Sequence, residues 1–161
     1  MGATYGLGIA RSTLDTDASR ETAIELLQSI ARFTGQPVRD LIGDDEVVEV
    51  APDGAVKPLA GARATAIKTA IEEKDGSASY SAFKHLDGYH ILLPGNFDEG
   101  APEDVPDGLE IYVGPLADLK SKLDRLIARD DVEEPSQLLH RALRALSDDA
   151  ERLGVPLVLG S

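Results

Sequence analysis

Two rhythms of apolar residues run along the chain. Ala23, Ile24, Leu27, Ile30, Ala31 and Phe33 recur at three- and four-residue steps with Glu21, Glu25, Gln28 and Arg32 between them, which predicts an amphipathic helix from Thr16 or Asp17 to Phe33. Either residue can cap its start, and Gly35 stops it. Ala64, Ile67, Ala70 and Ile71 repeat the pattern over Ala62 to Lys74. Leu116, Leu119, Leu123, Leu126 and Ile127 form a third apolar stripe, with Asp118 and Lys122 at ion-pair spacing on the outer face. A fourth runs from Ser136, read as a cap, to Leu153 through Leu139, Ala142, Leu143, Leu146 and Ala150, leaving His140 at the stripe's boundary. The last two helices are joined by the short acidic break 130–135, so they should pack antiparallel. Pro37 to Ile42, closed by Gly43, is expected as a further short helix because proline suits a first turn.

The second rhythm is that of strands. Ala3 to Ala10 is small and apolar, and its Gly6 and Gly8 suit a strand whose backbone approaches a neighbour closely. The run Gly6-Leu7-Gly8 lacks the third glycine and the prompt helix start of a dinucleotide fingerprint. Glu46 to Ala51 and Ala55 to Leu59 flank a Pro52-Asp53-Gly54 turn, and Pro58 confines the second of these strands to a sheet edge. Leu109 to Val113 is a short strand of strong β-formers, and Val155 to Leu159 is a buried closing strand. Without repeats or linkers, residues 1–161 are read as a single α+β domain: a mainly antiparallel sheet built from hairpins, with about four helices packed on it, including a C-terminal antiparallel pair.

A hairpin turning at Asp87-Gly88 is expected to run on into a loop from Pro94 to Gly108. If the turn is a two-residue type I′, His85 faces His90, and Phe83, His85, His90 and Leu92 share one face of the sheet. Facing Cβ atoms lie ~5 Å apart, so the two imidazoles could share a proton, or hold zinc or iron with a carboxylate such as Asp98 or Glu99. The spacing matches no metal signature, and ordinary half-buried or surface histidines satisfy it equally. Ser77, Ser79 and Ser81 lack the Gly-x-Ser-x-Gly elbow of a hydrolase and read more simply as the wetter face of a strand.

Composition narrows the function. With 29 acidic against 16 basic residues the net charge is −13, which disfavours nucleic acid and anionic membrane surfaces and favours a basic protein partner. No apolar run of ~18 residues is present, and a cytoplasmic location is expected. The sequence contains no cysteine, so thiolate chemistry is excluded, and no cofactor is called for. Aromatics make up only 4% of residues, which concentrates interest on the few near the acidic loop. Loops this long inside compact domains are functional or disordered. The expected partner-binding set is therefore Tyr89, Phe97, Asp98, Glu99, Glu103, Asp104, Asp107 and Tyr112, with acidic clusters at 44–49 and 130–134 adding to the field. On this reading the chain is a non-enzymatic acidic binding protein, in the manner of inhibitors or immunity proteins. The alternatives are a small metal-dependent or hydrolytic enzyme using His85 and His90, and an ordinary domain whose charge reflects adaptation to high salt. Partner identity and oligomeric state are not legible.

Overall fold

The computed structural model describes residues 3–9, 19–42, 46–59, 61–74, 76–78 and 89–160. In chain order the elements are β1 (Ala3–Leu7), α1 (Ser19–Thr34), β2 (Val38–Ile42), β3 (Glu46–Val50), β4 (Val56–Pro58), α2 (Ala62–Lys74), β5 (Gly76–Ala78), β6 (Tyr89–Leu93), β7 (Ile111–Pro115), α3 (Leu116–Ile127), α4 (Glu134–Leu153) and β8 (Leu157–Gly160). The strands form a five-stranded sheet in the order β5-β1-β8-β6-β7 and a three-stranded sheet in the order β2-β3-β4. The fold is α+β, as the alternation of patterns implied.

The small sheet is antiparallel throughout, and Lys57 and Pro58 keep its exposed edge strand β4 short and unsuited to further pairing. Pro37 to Ile42, expected as a helix, is instead strand β2, paired with β3 from Val38 opposite Val50 to Ile42 opposite Glu46. Its Val38, Leu41 and Ile42 are all buried, so tertiary pairing overrides the weak helix-start signal of Pro37. Helix α4 begins at Glu134, with Glu133 in the capping position and Pro135 in the first turn, two residues before the expected Ser136. Its far end closes at Gly154 in the left-handed conformation, φ 70°.

In the large sheet β8 is central, between β1 and β6, and all its residues are buried. The two-residue alternation divides the core. Leu7, Leu92, Leu157 and Leu159 pack with α2, α3 and α4, whereas Ile91, Leu93, Ile111, Val113 and Val158 pack with α1 and the inner face of the small sheet. Helices α3 and α4 run antiparallel: Gln137 reaches the end of α3, Arg144 reaches Asp124, and Glu151 reaches Lys120.

All pairings of the large sheet are antiparallel except β6 with β7, which are parallel from Tyr89 opposite Ile111 to Leu93 opposite Pro115. A parallel pair needs a long crossover, normally helical. Here residues 94–110 make that crossover without a helix. The loop's length therefore has a topological cause.

Candidate functional site

The expected His85–His90 register falls on residues 83–88, which lie outside the described residues, as does the Asp87-Gly88 turn. Of the expected hairpin, the strand from Tyr89 onward is described. His90 pairs with Tyr112 on one edge and Leu159 on the other, and Ile91 and Leu92 are likewise flanked on both sides. The preceding strand β5 pairs with β1 at the opposite side of the sheet.

The crossover is tied down along its length. Ser29 Oγ donates to the Asp104 carbonyl at 2.6 Å, and the Arg32 guanidinium grips the Asp104 carboxylate through Nε at 2.9 Å and through a second nitrogen. The Arg32 hydrogen bond holds the Asp104 carboxyl below its usual range. Phe97, Val105 and Leu109 pack against the α1-side core. Gly100 forms an antiparallel bridge with Val113, each amide donating to the other's carbonyl, and so covers the outer edge of β7. A Cβ on Gly100 would lie 3.1 Å from the Phe33 ring, which makes glycine the residue for this approach.

That bridge decides where Glu99 goes. Gly100 is directed towards α1, so the strand-like alternation turns the preceding residue to the opposite face, with His90, Leu92, Tyr112 and Gly114. There, Glu99 joins a cleft of about 350 Å³ whose other walls are Pro115 and, from α3, Asp118, Leu119 and Lys122. Gly114 leaves the space between Leu92 and Glu99 without a side chain. The His90 and Tyr112 rings form one wall, with centroids 5.3 Å apart and planes inclined at 52°. Tyr112 is 37% exposed, one of the few large apolar side chains open to solvent.

The polar groups of this cleft are uncommitted. Among the described residues, Asp118 and Lys122, expected to pair, form no ion pair, and neither does Glu99. His90 Nδ1 is buried and makes no hydrogen bond. Several charges elsewhere are matched: Glu46 with Arg20, Glu49 with Arg39 at 2.7 Å, Asp131 with Arg129 at 2.7 Å, and Lys120 and Arg144 with carboxylates between α3 and α4. Acidic clusters 44–49 and 130–134 are thus partly neutralised within the chain. Among the described residues no three His, Asp or Glu side chains converge to hold a metal ion, so Glu99, Asp118 and His90 line one cleft without forming one coordination site.

Of the expected contact set, Glu99 and Tyr112 come together at the cleft, and Asp98, Glu103 and Asp107 lie exposed on the crossover. Asp104 is engaged by Arg32, and Phe97 is half-buried against the core. Tyr89 contributes backbone to β6, but its side chain lies outside the described residues. Lys122, Asp118 and Gly114 were not singled out as a site by the sequence, although the four-residue spacing of Asp118 and Lys122 marked a shared helix face. His140, expected at the boundary of the apolar stripe, is fully buried, and desolvation pushes its imidazole pKa down. No helix among the described residues is long and apolar enough to cross a membrane. Comparison with protein-family models, curated proteins and solved structures finds no match to the chain.

Proposed function

We propose that the chain is a non-enzymatic, cytoplasmic binding protein that presents the acidic crossover and the exposed Tyr112 of β7 to a basic protein partner. The observation that carries this reading is the pinned crossover. From Ile91 to Leu119 the sequence has seven carboxylates and no basic residue, and the loop bearing six of them is fastened to α1 through Ser29 and Arg32 and to β7 through Gly100. Ordering cost is therefore met during folding rather than on association. Asp98, Glu99, Glu103, Asp107 and Glu110 remain exposed and without an ion pair to the described residues, and Glu99 lines the cleft with the exposed Tyr112 ring. A predominantly acidic surface of this kind accelerates encounter with a basic one, and an exposed aromatic such as Tyr112 offers it a desolvated contact.

Crosslinked capture from the protein's own cells, comparing wild type with a variant carrying Asp98→Asn, Glu103→Gln, Asp107→Asn and Glu110→Gln, tests the reading. Wild type should retain a basic protein that the folded variant loses. Retention of the same proteins by both overturns it.

A further inference from the structure

The geometry points to the His90–Tyr112 cleft as a receptor for one arginine side chain of that basic partner. This inference rests on the partner reading above and names the group that enters. The cleft has an apolar floor of Leu92, Leu119 and Pro115, an aromatic wall and two carboxylates with no ion pair among the described residues, Glu99 and Asp118. Pockets that combine apolar lining with a few convergent polar groups are where ligands bind. The choice of ligand follows from what each wall can offer.

Two carboxylates against one ammonium give the cleft a negative balance, which selects a cation. The carboxylates do not converge with His90 at metal-ligand distance, so the cation must be extended rather than a bare ion. A guanidinium fits on three grounds. Its planar fork donates to a carboxylate through two parallel hydrogen bonds, its faces stack on tyrosine, and its weaker hydration lowers the cost of leaving water compared with an ammonium. The aliphatic stem of arginine covers the leucines beneath. The His90 ring contributes to this site through the wall it forms with Tyr112. Lys122 opposes the incoming charge from the exposed face of α3 and so tunes affinity downward.

N-acetyl-arginine amide and its neutral isostere N-acetyl-citrulline amide separate charge recognition from simple filling of the cleft. Titrations followed by amide NMR should show saturable shifts at Tyr112, Gly114 and Leu119 with the arginine compound at a millimolar Kd, roughly −4 kcal/mol. The citrulline compound should bind at least ~10-fold more weakly, about 1.4 kcal/mol. Glu99→Gln with Asp118→Asn should weaken arginine binding ~10-fold, and Lys122→Ala should tighten it about 3-fold, both while keeping the dispersed spectrum of the folded chain. Equal binding of the two amides, absence of saturable shifts at the cleft, or indifference to the carboxylate variant overturns the inference. The two readings fail separately. A basic protein captured through the loop carboxylates, without amide binding, removes the cleft alone. Amide binding without a captured basic protein upholds the cleft and removes the broader reading.

Discussion

Asp40 is a fully buried acidic residue whose place is set by backbone donors. Oδ2 accepts the Ile9 amide and Oδ1 the Leu41 amide, each at 2.7 Å, joining the exit of β1 to the small sheet. The junction leaves no room opposite. A Cβ on Gly8, which has φ 86°, would lie 2.6 Å from Asp40 Oδ1 and 2.9 Å from the Ile71 side chain. Removing the carboxyl strands both amides at a cost of about 1–3 kcal/mol each, so Asp40→Ala should lower unfolding free energy by ~2–4 kcal/mol in urea denaturation. Asp40→Asn, which keeps one acceptor oxygen, should lose less. The close backbone approach was legible from the glycines; Asp40 was not, because a helix assignment over 37–42 hides the register that buries it. His140 offers a second test at this scale. Burial holds its pKa below the ordinary 6.5, so the unfolded chain takes up its proton first as pH falls. His140 therefore leaves stability untouched above pH ~6.5 and subtracts from it as pH drops from there through the folded pKa. Denaturation midpoints measured from pH 8 to 5 should fall on acidification in wild type and fall less in His140→Phe.

At the scale of elements, α3 and α4 show which contacts hold a helix pair together. Arg144 bridges Asp124 and Asp148 across and along the pair, but the carboxylates are well exposed, whereas Leu143 beside it is fully buried. Arg144→Ala should cost about 0.5 kcal/mol and less at high salt, against ~2–5 kcal/mol for Leu143→Ala, both read from denaturant midpoints. The crossover obeys a different rule, since polar ties to α1 fix its position. Arg32→Ala with Ser29→Ala should raise amide exchange of residues 98–108 while leaving β8 protected, because the loop opens without the core. Helices α2 and α3 were readable almost to the residue, since their stripes are long and their ends carry Gly76 or Pro115. The parallel partnership of β6 and β7 was not. Short apolar runs do not state their direction, and Asp87-Gly88 proposes a local hairpin while β6 pairs on both edges with strands distant in sequence. The cleft was half legible for the same reason: Tyr112 and Glu99 were flagged by composition, but the face they share with His90 and α3 depends on that parallel register and on the bridge at Gly100.

Over the whole molecule the charge of −13 acts on folding and binding with opposite signs under salt. Like charges repel more in the compact chain than in the expanded one, so screening should raise stability as ionic strength increases. The Debye length shortens from ~10 Å at 0.1 M to ~3 Å at 1 M, after which little repulsion between exposed carboxylates remains to be removed. Stability in potassium chloride should therefore climb to about 0.5 M and then flatten. A continued steep rise through molar salt would instead mark adaptation to a saline interior and leave the charge without need of a partner. Binding should move the other way. Attraction between the acidic crossover and a basic surface is screened over the same range, and its association rate should fall by an order of magnitude or more between 0.05 and 0.5 M while the fold gains stability. A guanidinium held in the cleft would be less exposed to screening than the loop carboxylates, since Leu92, Leu119 and Tyr112 line that cleft. Titration of N-acetyl-arginine amide should lose at most a few-fold in affinity across that range. Equal salt sensitivity in the amide and the basic partner would place the amide on the loop surface rather than in the cleft.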